Sequence, residues 1–144
     1  MISTRSVYVA GPSSEFRRVQ RFSLEVRGVG WNLTHPWWEE YLKLEAEERP
    51  ESSLTREDLL TRADQDFEGV ALAGLIIVLA PVPGHYTKNT WIELGFAFAL
   101  RRLTESPQIW IVGELPERRF FSWKADRHFD TEGECLSALV SGGA

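Results

Sequence analysis

Short apolar runs that alternate with helical patterns constrain this chain more than any other feature. "SVYVA" (Ser6 to Ala10) is rich in β-forming residues and closes at Gly11-Pro12; "LIIVLA" (Leu75 to Ala80) and "QIWIVG" (Gln108 to Gly113) are further runs of this kind. "LIIVLA" has no polar alternation, as expected of a strand buried on both faces. After the first run, "SEFRRVQRFSLEVRGVG" sets Phe16, Val19, Phe22 or Ser23, and Val26 at helical spacing and ends at Gly28 and Gly30. Strands that alternate with helices predict a parallel sheet covered on both faces, with right-handed crossovers.

The remaining segments fit that frame unevenly. "WNLTH" reads as a weak second strand, and the charges and Pro50 of "PWWEEYLKLEAEERPESS" predict a mobile or inserted segment. A helix is expected from Thr55 as N-cap, with Leu59, Leu60, Ala63, Phe67, Val70 and Ala71 as its apolar stripe. After the loop "PVPGHYT" comes a helical stretch, "TKNTWIELGFAFALRR", that is apolar almost all the way round. "ELPERRFFSWKADRHF" is poorly patterned, and a last helix is expected from about Thr131, where Thr131-Glu132-Gly133-Glu134 reads as a capping box. No internal repeat or linker is evident, so residues 1–144 read as a single domain.

At 144 residues the chain can bury about two-thirds of the surface its unfolded form exposes. No apolar stretch approaches the ~20 residues needed to cross a bilayer and none reads as a signal peptide, which predicts a soluble protein without a membrane partner. A single cysteine, Cys135, excludes an intrachain disulfide and suits a cytoplasmic location; an inert helix position is expected for it. The net charge of −5, with no basic run, argues against a nucleic-acid partner. His35, His85 and His128 lack ligand-like spacing, so no metal is expected.

In an open parallel sheet, ligands sit outside the carboxyl ends of the strands. The loops Gly11 to Ser14, His35 to Trp38 and Pro81 to Thr87 are therefore the candidates, and none carries a dinucleotide or phosphate-loop fingerprint, so no cofactor is expected. The chemical puzzle lies just beyond the third loop. Glu93 is a lone carboxylate among Trp91, Ile92, Leu94, Phe96, Ala97 and Phe98, and a carboxylate taken into such surroundings must find partners or give up its charge. Thr90-Trp91-Ile92-Glu93 reads as a capping box, in which Glu93 bonds back to its own helix start. With Thr87 as N-cap, Glu93 falls in the second turn and has no capping role.

"VYVAGP", "DQDFEGVALAGLIIVLAP" and "TKNTWIELGFAFAL", in that order and spacing, resemble the nucleoside 2-deoxyribosyltransferase family, including its nucleotide N-glycosidase branch; the resemblance runs from about Ser6 to about Asp130. It implies a flavodoxin-like three-layer α/β sandwich with a five-stranded parallel sheet, assembled as a homodimer or larger oligomer. It also implies cleavage of the N-glycosidic bond of a 2′-deoxynucleoside or its 5′-monophosphate, the small-molecule partner, with the sugar passed to another base. Glu93 matches the family's nucleophile, Asp66 the aspartate that handles the base, and Tyr8 the tyrosine beside the nucleophile. Helical spacing alone does not choose between Asp64 and Asp66. Retaining cleavage uses such a set: a carboxylate attacks the anomeric carbon, and a donor takes charge off the departing base.

Around these, Gly11, Pro12 and Ser13 are expected to form the turn under the sugar or phosphate; the plain alternative is a strand-to-helix turn capped by Ser13 or Ser14. Trp37 or Trp38 is expected to stack on a base, with core or lid packing as the alternative, and Thr87, Lys88 and Asn89 are expected to bind substrate, Lys88 meeting either a 5′-phosphate or merely water. The chain also departs from the family. Thr87 stands where nucleoside transferases have an aspartate six residues before the nucleophile, whereas the nucleotide-hydrolysing branch has a small hydroxyl residue there. Ala73-Gly74 replaces the usual Ala-Asp, Lys88 to Trp91 replace a small-residue run, and "LVSGGA" lacks a terminal asparagine. Water as acceptor, or a silent nucleotide-binding module, are the alternatives.

Overall fold

A computed structural model of the protein describes residues 5–114 and 123–141. Five strands form one all-parallel sheet: β1 (Ser6–Ala10), β2 (Asn32–Leu33), β3 (Leu75–Leu79), β4 (Gln108–Val112) and β5 (Arg127–Phe129), in the order β2-β1-β3-β4-β5. Among the described residues there are five α-helices: α1 (Phe16–Gly28), α2 (Trp38–Ala46), α3 (Arg56–Leu72), α4 (Asn89–Thr104) and α5 (Glu132–Val140). This is the expected flavodoxin-like three-layer α/β fold. α1 packs against α2 and α5, while α3 packs against α4. With right-handed crossovers, the reversal of strand order between β1 and β3 sends α1 and α4 to opposite faces of the sheet.

The central strands are where the sequence pattern places them because their side chains have no polar alternative to burial. All five residues of β3 are fully buried, paired with β1 from Val7↔Leu75 to Ala10↔Val78 and with β4 from Leu75↔Gln108 to Leu79↔Val112. At ~1.5–3 kcal/mol for each large apolar side chain taken out of water, this strand pair anchors the core. β2 is only two residues long, and the chain continues alongside β1 through Thr34 N to Val7 O at 2.9 Å. β5 comes from the end of the poorly patterned segment. Phe129 packs on Trp110 with ring centroids 5.3 Å apart, and the Arg127 guanidinium lies over both rings.

Three local expectations need correction. The segment after the second strand contains a packed helix: Tyr41 of α2 stacks on Phe16 of α1 at 5.6 Å, and Glu45 pairs with Arg17. Its charges lie on the exposed side of an element whose apolar side was hidden by its shortness. The apolar stripe expected on α3 is core only at Val70, which is fully buried beside Gly69; Leu59, Leu60, Ala63, Phe67 and Ala71 are exposed. Neither Ser13 nor Ser14 caps the helix after β1, because the chain turns through a short 3-10 segment, Ser13–Glu15, that starts at Pro12. The capping box at Thr55 forms as expected, but at Thr131 only half of it does, because the Glu134 carboxylate turns to Asp130 N and not to Thr131 N. Thr55 accepts from Asp58 N, and the Asp58 side chain accepts from Thr55 N. Thr131 accepts from Glu134 N, while the Glu134 carboxylate accepts from Asp130 N.

Candidate active site

The turn after β1 and the loop between β3 and α4 open at the point where strand order reverses, which is where an open α/β sheet holds its ligand. A cavity of about 500 Å³ lies there, walled by Gly11, Ser13 and Ser14, by α2 and α3, and by the start of α4. That volume falls in the range of small-molecule sites. Gly11 is demanded by packing: a Cβ there would lie 2.6 Å from Val19 Cγ2, so only glycine lets α1 leave the strand so closely.

Glu93 occupies the second turn of α4. Lys88 stands at the N-cap position without a side-chain cap bond, so Glu93 is the fifth helical residue and cannot close a capping box. Thr87 and Thr90 use their hydroxyls on each other, at 2.9 Å. Glu93 is 8 % exposed and lines the cavity. Its pKa is pushed up to about 8, chiefly by burial and then by the charge of Asp66, with the nearby Tyr8 hydroxyl pulling the other way. At neutral pH this carboxyl therefore favours its protonated form.

Tyr8 lies beneath the cavity floor rather than in its wall. It is fully buried in β1, and burial, reinforced by the charges of Glu93 and Asp66, raises its pKa well above the usual phenol range. Its hydroxyl interacts with Glu93, yet no partner among the described residues meets good hydrogen-bond geometry. The structure separates the two aspartates of α3: Asp66 lines the cavity, and Asp64 is exposed outside it. Asp66 Oδ1 faces His35 Nε2 at 3.3 Å. α3 is notched beside this pair, since a Cβ at Gly69 would meet His35 Cβ at 2.7 Å and the Tyr8 ring at 2.9 and 3.0 Å. Thr34 adds a hydrogen bond to Gly69 O at 2.6 Å. One turn of α3 thus organises Tyr8, His35 and Asp66.

Of the other expected residues, Gly11, Ser13, Trp37, Thr87, Lys88 and Asn89 line the cavity. Trp37 is largely buried, donates from Nε1 to Val9 O at 2.8 Å and meets Tyr41 edge-on, so its ring is fixed in the wall. Two expectations are corrected. Trp38 is 4 % exposed and belongs to the core, because it is the first residue of α2 and faces inward. Pro12 is buried outside the cavity, and its carbonyl accepts from Glu15 N. The Lys88 ammonium sits 5.9 Å from the Tyr86 ring centroid, at the rim.

Sequence reasoning missed His35, Tyr41 and Arg62. His35 was placed in a ligand-bearing loop but weighed only as a metal ligand. Arg62 precedes Asp66 by one helical turn, a signal that was available. Its guanidinium pairs with Glu40 at 3.4 Å, lies over the Tyr41 ring, and buries one nitrogen without a partner among the described residues. Tyr41 gave no signal, because the segment carrying it read as an insertion; its hydroxyl reaches Glu51 at 3.3 Å. No group of three or more His, Cys, Asp or Glu among the described residues is arranged to hold a metal ion. No described helix is long and apolar enough to cross a membrane.

Comparison of the chain with protein-family models, with curated proteins and with solved structures gave no match.

Proposed function

We propose that this protein cleaves the N-glycosidic bond of a 2′-deoxynucleoside or its 5′-monophosphate through a glycosyl ester on Glu93, passing the deoxyribosyl group to another base. The observation that carries this reading is a buried, non-capping carboxyl in a cavity, with a second carboxylate and a buried phenol close enough to shift its ionisation. As the C1′–N bond lengthens, positive charge grows on the anomeric carbon. A Glu93 carboxylate is stabilised by that charge more than by the empty site, so its attack becomes favourable where the charge develops. Tyr8 orients the carboxylate, and Asp66 serves the departing base as hydrogen-bond or proton partner. A second base resolves the ester.

Thr87 favours a second reading, with water as acceptor. It stands in the cavity wall six residues before Glu93, where the nucleotide-hydrolysing branch has a small hydroxyl residue and the nucleoside transferases an aspartate, and its hydroxyl is engaged by Thr90. A silent nucleotide-binding module keeps the same cavity without turnover.

Association as a homodimer belongs to this proposal, and so does a cytoplasmic location. Its support is an exposed apolar face on α3 and α4, where Leu60, Ile92 and Leu103 are 56 %, 58 % and 82 % exposed, since such patches commonly mark interfaces. The sequence offers Trp37, Trp38, Phe120, Phe121 and Trp123, all in stretches read as irregular, as an aromatic surface for association, but Trp37 and Trp38 are buried and do not contribute to it. Phe120 and Phe121 lie outside the described residues, and Trp123 is exposed.

Incubation with a panel of deoxynucleosides and deoxynucleotides, with and without a free base, tests the reading. The expected result is release or exchange of base, with an intact mass increased by one deoxyribosyl unit that the Glu93→Gln variant does not gain. Turnover by the Gln variant at the wild-type rate refutes the nucleophile, and binding without turnover by the wild type selects the module.

A further inference from the structure

Glu15 is a buried carboxylate that the reaction does not use. It ends the 3-10 turn after β1, its side chain is 7 % exposed, and it does not line the cavity. Three donors converge on it. Arg18 Nη1 reaches Oε1 at 2.8 Å, while Val82 N and His85 Nδ1 reach Oε2 at 3.2 and 3.0 Å. A carboxylate oxygen only accepts, so His85 Nδ1 carries the hydrogen in this bond. Arg18 Nη1 also donates to Ala80 O at 2.8 Å, and its Nε faces Glu132 of α5 at 3.5 Å.

These bonds tie two cavity walls together. Ser13 and Ser14, immediately before Glu15, form one wall; Tyr86, Thr87 and Lys88, immediately after His85, form another. Among the described residues, little else holds the intervening loop to the body of the protein. Residues 82–86 are exposed, Gly84 adopts a positive φ of 87°, and Tyr86 is 73 % exposed although it stands at the rim. Pro81 and Pro83 stiffen the loop without anchoring it, since proline fixes φ but brings no donor. Among the described residues, the hydrogen bonds that fasten it to the body of the protein ahead of Thr87 are those to Glu15 and Arg18.

We propose that Glu15 is a positioning residue for this site, setting, through Val82 and His85, the distance between the β3–α4 loop and the turn after β1, and so the fit of the bound substrate. The kinetic part rests on the glycosidic reading above; the structural part does not. Because the clamp acts on the walls and not on Glu93, its loss should appear in KM and leave kcat nearly intact.

Two measurements test it on the full chain: backbone amide exchange over residues 81–88, and the KM–kcat split on the deoxynucleoside that the wild type turns over best. His85→Ala removes one donor from a half-exposed position and should speed exchange of the loop amides by about tenfold or more, as expected for a hydrogen bond to a charged group. KM should rise by roughly the same factor, with kcat within about threefold, since uniform binding is what is lost. His85→Asn places an amide donor near the Nδ1 position and should restore both. Glu15→Gln turns one accepting oxygen into a donor, leaves Arg18 or Val82 and His85 unmatched, and should exceed His85→Ala in both readouts.

Unchanged exchange in His85→Ala overturns the clamp. Faster exchange with unchanged KM shows a tether that does not position the site, and also overturns the proposal. So does an Asn variant that behaves like Ala. If the wild type turns over no substrate of the panel, the glycosidic reading has failed, and the exchange comparison alone decides for or against the clamp.

Discussion

Glu93 and Asp66 line one cavity, and burial first, then the negative charge of Asp66, raises the Glu93 pKa to about 8. Like charges that share one cavity disfavour ionisation, and burial adds to that effect at Glu93. Asp66 is the more exposed of the two and has His35 beside it as partner.

If attack needs the ionised form, kcat/KM should rise with pH and level off above about 8, the value set by the free enzyme. Asp66→Asn removes the like charge and should move that midpoint downward. A pH–rate profile on an uncharged deoxynucleoside checks both, and a flat profile between about pH 6 and 9 would contradict an ionised Glu93 nucleophile.

The same shift makes a stability prediction with a definite sign. An acid whose pKa is 4.5 when free and about 8 when folded binds its proton more tightly in the folded state. Its contribution is fully present below pH 4.5, is lost progressively as pH rises to about 8, and changes no further above that. Glu93→Gln mimics the protonated acid and does not titrate. Its melting temperature relative to wild type should therefore climb between about pH 5 and 8.5 by several degrees, on the order of a few kcal/mol at most. Thermal unfolding across that range checks it, and a constant difference would show that Glu93 is ionised in the fold.

Glycines separate site packing from helix propensity. Gly95 of α4 has nothing within 4 Å of a Cβ, so Gly95→Ala should stabilise by about 0.5–1 kcal/mol. Gly69→Ala gains the same propensity but drives a methyl into His35 Cβ and the Tyr8 ring. Overpacking of that kind costs about 1–3 kcal/mol, so a net loss of stability is expected together with reduced turnover. Denaturant titration and initial rates on both variants decide; an active, stabilised Gly69→Ala would show that Tyr8 and His35 need no fixed place.

The two aspartates of α3 should behave differently. Asp66→Asn should lower turnover by about 10²–10⁴, the usual reach of a positioned acid or base. Asp64→Asn should leave it within about twofold, as befits a solvated surface charge. Equal losses in steady-state kinetics would move the base-handling role away from Asp66.

Much of the fold was legible because burial leaves a periodic trace. β3 is apolar throughout, β4 is apolar after Gln108, and α1 carries its buried residues at helical spacing, so these elements were readable from residue types alone. β5 was not. Its three residues pair with β4 at the sheet edge, where one side is open and no strict pattern is imposed. α2 escaped for a related reason: its nine residues hold the apolar contacts of Tyr41 and Trp38 within a strongly charged stretch.

For the site, the sequence by itself determined that one carboxylate sits in an apolar helix and that three loops meet at the carboxyl ends of the strands. Only the tertiary structure decided that Glu93 is past the capping position, that Asp66 and not Asp64 enters the cavity, that Trp38 belongs to the core, and that His35, Tyr41 and Arg62 join the wall. The reason is physical. Periodicity encodes which side of an element is turned from water, but a site is made of residues from different elements. Their mutual distances depend on where each helix starts and how closely it packs, as at the notch of Gly69, and those quantities exist only once the chain has folded.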